Sequence, residues 1–175
     1  MNETVFVIGG CRSGKSRHAQ ELAEALPGNR KLFLATCVPQ DAEMRDRVRK
    51  HQEDRGDCWS ALEVPVAVAD AVREQSPEFD VILLDCLTLW MSNLLMETRD
   101  EQAIQFKIQA LTDVLNRVAC PVILVSNEVG AGIVPENGLA RQYRDLVGFA
   151  NQQVAACADR VIWTVAGIPV PIKSP

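Results

Sequence analysis

The chain has 175 residues, the length of one domain, and can bury roughly 70% of its unfolded surface, so it needs no disulfide or metal staple to fold. Hydrophobic residues at 47% and charged residues at 23% are ordinary soluble-protein usage and exclude wholesale disorder. Eighteen basic against 23 acidic residues give a net charge of −5, which argues against a general nucleic-acid binder, and no apolar run approaches the ~18–20 residues of a membrane helix.

Thr4–Ile8 (TVFVI) reads as a buried strand. Ser16–Leu26 reads as a helix with Ala19, Leu22, Ala23 and Leu26 on one face, stopped by Pro27-Gly28-Asn29. Lys31–Ala35 (KLFLA) is a second strand, and Asp41 could cap a helix running to about Asp54. Val66–Gln75 is a shorter helix ended by Ser76-Pro77, and Asp80–Leu84 (DVILL) is a third strand with Asp85 just beyond it. Leu87–Met96 and Glu101–Ala119 are helical; in the second, Ile104, Ile108, Leu111, Leu115 and Val118 recur at helical spacing. Pro121–Val125 (PVILV), the long helix Leu139–Ala158 and the strand Arg160–Val165 (RVIWTV) follow. The tail Gly167–Lys173 holds two prolines and is an edge strand at best.

The strands are continuous apolar runs with helices between them, the pattern of a mainly parallel sheet covered on both faces. Without repeats, low-complexity tracts or a long linker, residues 1–175 read as a single α/β domain. Such sheets bind ligands beyond the carboxyl ends of their strands, so the residues following each strand are the first candidates for function. The N-terminus lacks a basic start and an apolar signal core, which predicts a cytoplasmic protein.

After the first strand, Gly9-Gly10-Cys11-Arg12-Ser13-Gly14-Lys15-Ser16 matches G-x-x-x-x-G-K-[ST] at every fixed position. Background composition gives such a match by chance roughly once in a hundred chains of this length. The strand before it and the helix after it supply the context that the motif requires. Glycines let the backbone turn its N–H groups toward a phosphate, and the helix start adds the positive end of its dipole. Lys15 can reach the β- and γ-phosphate oxygens, and the Ser16 hydroxyl can ligate Mg²⁺. Asp85, just after DVILL, stands where a Walker B carboxylate would lie, to hold Mg²⁺ through water or to contact the nucleotide; a cap on the helix that follows is the alternative.

The loop implies a triphosphate site without naming a reaction. The base-reading motif NKxD of GTPases is absent, and the chain is short for a motor, so a small-molecule kinase or nucleotidyltransferase fits best. In DAEMRDRVRKHQED (Asp41–Asp54), Met44, Val48 and His51 share a helical face amid Arg45, Arg47, Arg49, Lys50 and Arg55. Those cations keep an imidazole neutral and attract phosphate, and neutral imidazole is a competent nucleophile at phosphorus. The same pattern also suits a solvated charged helix with a partly buried histidine. His18 reads as structural. Six cysteines without CxxC spacing, beside two histidines, argue against a zinc site and read as reduced thiols. A single tyrosine argues against a base-stacking platform.

Several strings together carry a resemblance along almost the whole chain: GGCRSGKSR (Gly9–Arg17), LATC (Leu34–Cys37), EMRDRVRKHQEDR (Glu43–Arg55) with Trp59 and Glu63, LLDCLTLWMSNLL (Leu83–Leu95), SNEVGAGIVPEN (Ser126–Asn137) and LARQYRDLVGFANQQVA (Leu139–Ala155). They resemble the bifunctional adenosylcobinamide kinase/adenosylcobinamide-phosphate guanylyltransferases of cobalamin biosynthesis. The phosphate loop is shared by many proteins; NEVGxGIVPE combined with the helical histidine is far more specific.

The resemblance implies a RecA-like P-loop fold, Mg²⁺ with GTP or ATP as substrates, adenosylcobinamide and adenosylcobinamide phosphate as acceptors, a cytoplasmic homotrimer, and no nucleic-acid partner or membrane insertion. The family's guanylylated histidine falls on His51, with Lys15 the other catalytic group. Its nucleotide contacts fall on Gly9–Ser16, on Thr36, Cys37 and Val38, on Gln52, Glu53, Asp54 and Arg55, and on Glu63 and Asp85; its metal ligands fall on Ser16 and Asp85. Two rival readings stand beside it, a P-loop kinase of another metabolite and a non-catalytic nucleotide-binding module.

Overall fold

A computed structural model describes residues 3–37, 56 and 58–174. The chain runs β1 (Thr4–Gly9), α1 (Lys15–Ala25), β2 (Lys31–Ala35), β3 (Trp59–Glu63), α2 (Val68–Gln75), β4 (Val81–Asp85), α3 (Leu87–Glu97), α4 (Glu101–Leu115), β5 (Val122–Asn127), α5 (Gly138–Cys157), β6 (Arg160–Val165) and β7 (Ile168–Lys173). The strands form one sheet in the order β3-β2-β4-β5-β1-β6-β7, parallel throughout except for the antiparallel pair β6–β7.

The continuous apolar strands are explained by two covered faces. On one face Val5, Val7, Val81, Leu83, Ile123, Val125 and Ile162 pack with Ala19 and Ala23 of α1. On the other, Phe6, Leu32, Leu34, Ile82, Leu84, Val122 and Leu124 meet α3, α4 and α5, with Trp90, Met91, Leu94, Ile104, Ile108, Leu111 and Val147 fully buried. Lys31 is buried because its ammonium donates to the carbonyls of Ala23, Glu24 and Leu26, closing the last turn of α1. Lys173 does the same for α5, donating to Ala155, Ala156 and Ala158. Side chains also cap the starts: Asp100 accepts from Gln102 N and Ala103 N at α4, and Asn137 accepts from Ala140 N at α5.

Element bounds depart from the predicted ones where local bonding decides. α1 begins one residue early, at Lys15, because Gly14 at φ 91 turns the chain into the helix. β4 retains Asp85, which pairs with Ala35 of β2. α4 stops at Leu115 rather than Ala119, since Arg117 N turns back to Val114 O. β3 was not among the predicted strands: four of its five residues are exposed at the sheet edge, so it carries no apolar run. The proline-bearing tail is a full edge strand, β7, reached from β6 through Ala166 (φ 51) and Gly167 (φ 81). Two consecutive left-handed residues suit a tight hairpin. The predicted helix Asp41–Asp54 lies outside the described residues.

Neighbouring strands β5 and β1 send their connections opposite ways: β1 continues through α1 to β2, and β5 through α5 to β6, on the other face. Their carboxyl ends therefore open a crevice, the position where open parallel sheets take their ligands.

Candidate nucleotide site

β1 delivers the chain into that crevice at Gly9, which pairs with Asn127 on one side and Thr164 on the other. Gly9 has to be glycine. A Cβ there would stand 2.5 Å from the Thr164 carbonyl oxygen and 2.5 Å from Ser13 Oγ. The loop folds back through Ser13 N donating to Gly10 O (3.3 Å), with Arg12 (φ 54) and Gly14 (φ 91) both left-handed. Lys15 is 8% exposed and its Nζ donates to Gly10 O at 3.1 Å, so the ammonium lies over the loop it follows. No side chain caps the start of α1, which leaves its first N–H groups turned to the loop. Ser13 Oγ is buried with no hydrogen-bond partner among the described residues. Cys11, Arg12 and Ser16 are exposed.

The hairpin turn braces this loop from the far end of the sequence. Gly167 N donates to Ser13 O at 2.9 Å, and a Cβ on Gly14 would come within 3.3 Å of Gly167 Cα. Sequence reading passed over that contact; its only trace is an Ala-Gly pair between two apolar runs.

Asp85 ends β4, one strand away from β1 across β5. Behind it, Thr36, Cys86, Thr88 and Asn127 form a polar chain. The Thr36 hydroxyl accepts from Cys86 N (2.9 Å) and donates to Cys86 O (2.7 Å). Cys86 Sγ lies 2.9 Å from Thr88 Oγ1, which accepts from Asn127 Nδ2 at 2.9 Å. Tyr143 OH donates to Thr88 O, and Asn151 Nδ2 to Asn127 O. Burial pushes the Cys86 thiol up and the Asp85 charge adds to it, while Lys15 pulls the other way. Tyr143 is raised by burial and then by Cys86. The half-buried His18 imidazole is lowered, chiefly by burial.

Thr36, on which the resemblance places a nucleotide contact, has a wholly buried side chain whose hydroxyl is bonded to both backbone groups of Cys86. Cys37 is half-buried at the end of β2. Glu63 ends the edge strand β3, with β2, β4 and β5 between it and the phosphate loop's strand. His51, Val38, Gln52, Glu53, Asp54 and Arg55 lie outside the described residues.

The connection after β5 also begins at the loop, with Glu128 N donating to Gly9 O at 3.0 Å. The Glu128 carboxylate accepts from the N–H groups of Gly130 and Ala131. Arg144 donates to Gly130 O, and Arg141 to the carbonyls of Pro135 and Glu136. These bonds hold the segment while Ile133 and Val134 stand exposed at its tip.

A phosphate loop with its lysine folded inward, on a sheet of this order, is common to many nucleotide-using proteins, and comparison with known proteins narrows the choice. Residues 5–172 match the family described as CobU, cobinamide kinase / cobinamide phosphate guanyltransferase. The chain belongs to this family. Its enzyme class is accordingly that of a cobinamide kinase and cobinamide phosphate guanyltransferase. The bifunctional adenosylcobalamin biosynthesis protein CobP of Pseudomonas aeruginosa is 41% identical over 168 residues, covering 96% of both chains. Protein CobU of Escherichia coli, of the same description, is 40% identical, covering 97% of this chain and 99% of its own. Among solved structures, the P4 protein of bacteriophage phi6 in complex with ADP is similar in fold, with a TM-score of 0.52 at 17% identity, over 96% of this chain and 54% of that one. Among the described residues, no helix is long and apolar enough to cross a membrane.

Proposed function

We propose that this chain carries out both family activities on adenosylcobinamide with nucleotide bound at Gly9–Ser16. In the kinase step, the hydroxyl oxygen of the aminopropanol arm attacks the γ-phosphorus of ATP or GTP. The bond from that phosphorus to the β-bridging oxygen breaks, the nucleoside diphosphate leaves, and the hydroxyl proton passes to solvent. Lys15 and Arg12 offset the charge spread over the transferring group. The observation that carries the reading is the loop itself: Lys15 folded over Gly10 O, with uncapped N–H groups at the start of α1.

The residues present suit magnesium. The Ser16 hydroxyl at the first turn of α1 and the Asp85 carboxylate at the end of β4 are hard oxygen donors of the kind Mg²⁺ takes. Ser16 and Asp85 would hold the ion, which when bound supplies positive charge to the phosphates.

In the second activity the His51 imidazole nitrogen attacks the α-phosphorus of GTP. The bond to the bridging oxygen breaks, pyrophosphate leaves, and GMP stays on the enzyme as a phosphoramidate. A phosphate oxygen of adenosylcobinamide phosphate then attacks that phosphorus, the P–N bond breaks, and adenosylcobinamide-GDP leaves with His51 restored. Splitting the transfer this way replaces one hard displacement by two easier ones. Nucleotide contacts from residues 36–38 and 52–55, Glu63 and Asp85, a cytoplasmic setting and a homotrimeric assembly complete the proposal.

Incubation with α-labelled GTP and Mg²⁺ tests it. Label is expected on the peptide holding His51, acid-labile, alkali-stable and discharged by adenosylcobinamide phosphate. His51→Asn is expected to lose label and guanylyl transfer while still phosphorylating adenosylcobinamide. Label retained in His51→Asn moves the nucleophile elsewhere. Unlabelled wild-type enzyme that still forms the GDP-linked product makes the transfer direct.

A further inference from the structure

We propose that Thr36 and Asn93 are positioning residues for the Asp85 carboxylate, because Thr36 grips both backbone groups of Cys86 while Asn93 holds Thr36 in place. The inference rests on the reading of Asp85 as the magnesium-directed carboxylate.

The paired residues of β2 and β4 end at Ala35 and Asp85, and the last backbone bond, Thr36 N to Asp85 O, is long at 3.3 Å. One residue further on, the side chain of Thr36 takes over. Its Oγ1 accepts from Cys86 N at 2.9 Å and donates to Cys86 O at 2.7 Å. A single hydroxyl thereby fixes the peptide planes on both sides of Cys86, and the first of these is bonded directly to the Asp85 Cα. Thr36 is itself held, since its carbonyl accepts from Asn93 Nδ2 at 2.8 Å. The same amide donates to Pro65 O at 2.9 Å, which ties α3 to both the end of β2 and the segment after β3. Cys86 is secured on its other side by Thr88 and, through it, by Asn127 of β5, the strand next to the phosphate loop.

The hydroxyl of Thr36 and the amide of Asn93 are both spent on backbone groups. Thr36 is wholly buried and Asn93 sits in α3 behind it. What this arrangement controls is where the backbone sets down Asp85. An ion held between a hydroxyl on α1 and a carboxylate on β4 depends on the separation of two elements that β5 keeps apart. An error of about 1 Å in such a constellation is worth on the order of a hundredfold in rate.

The test measures binding of GDP to the full-length protein by calorimetry, in EDTA and in Mg²⁺, and takes the ratio of affinities as the magnesium-dependent gain; by linkage that ratio is also the effect of GDP on magnesium binding. Thr36→Val keeps the buried volume and removes the hydroxyl. Thr36→Ser removes a buried methyl and keeps the hydroxyl. Thr36→Val is expected to lose the gain about tenfold or more, whatever its affinity for GDP in EDTA. Thr36→Ser is expected to keep the gain despite a lower Tm, and Asn93→Ala to lose part of it, about three- to tenfold. An unchanged gain in Thr36→Val, or in Asn93→Ala should Thr36→Val not fold, overturns the proposal, as does a gain that follows Tm across the variants rather than the hydroxyl. Asp85→Asn separates the two levels. If it leaves the gain intact, the reading of Asp85 fails and the positioning role with it. If it abolishes the gain while Thr36→Val keeps it, the positioning role alone fails.

Discussion

Adding one methyl group at Gly9 is expected to separate the phosphate loop from the sheet that carries it. The new Cβ would lie 2.5 Å from both the Thr164 carbonyl oxygen and Ser13 Oγ, where separations under 3.0 Å are essentially never found, so each must yield by about half an ångström. Ser13 can turn its side chain aside. Thr164 cannot, because that oxygen belongs to β6 at the residue paired with Gly9 itself. The strain must open the β1–β6 pair or tilt the loop, an overpacking cost of ~1–3 kcal/mol. In a chain of this size that lowers Tm by about 2–10 °C. Tilting the loop also moves its N–H groups off the phosphates, so GTP affinity should fall more than tenfold, about 1.4 kcal/mol or more. Differential scanning calorimetry and isothermal titration with GTP read the two effects on Gly9→Ala. The double variant Gly9→Ala/Ser13→Ala should recover little, since the backbone clash persists. Wild-type Tm together with wild-type GTP affinity in Gly9→Ala would refute the close approach of loop and strand.

The thiols supply two further tests. Cys11 is exposed within the phosphate loop whereas Cys86 and Cys120 are buried, so a small alkylating reagent should modify Cys11 first, MgGTP should slow it and inactivation should follow; mass spectrometry showing equal modification with and without nucleotide would exclude Cys11 from the site. Burial, with Asp80 adding to it, pushes the Cys120 thiol from 9.0 up to about 11. The unfolded chain loses that proton first, so the contribution of Cys120 to stability is complete below about pH 9 and is lost as pH rises through about 11. Urea unfolding across that window should show wild type falling more steeply than Cys120→Ala, and parallel curves would show that the thiol is not perturbed.

The strands that the sequence announced are those that carry an apolar run. KLFLA became β2 at the predicted bounds, covered on both faces of the sheet, and RVIWTV became β6 at the predicted bounds although one of its faces, with Trp163 and Val165, is exposed. WSALE gave no such signal: as the outermost strand, β3 is held by backbone pairing to β2 while its side chains face outward. The phosphate loop was legible because its signature is local, eight consecutive residues between a strand and a helix. The clamp behind Asp85 was not, since Thr36 lies 50 residues from Cys86 and 57 from Asn93 and meets them only once β2 and β4 are paired. The same separation concealed the bond from Gly167 to Ser13.

The last strand settles how the sheet ends. Pro169 and Pro171 stand opposite Thr164 and Ile162 in the antiparallel pair, and lacking N–H groups they occupy its non-hydrogen-bonded positions. Their nitrogens therefore line the outer border, where an added strand would seek a donor at every second residue. On one face, Trp163, Val165, Ile168 and Val170 form an exposed apolar strip of the kind that ordinarily invites strand-on-strand stacking into fibres. The imide bonds deny such a strand every donor on this border, half of the hydrogen bonds it would make, so the border resists templated aggregation by covalent structure at any pH or salt concentration, a protection that charged edge residues would lose on screening.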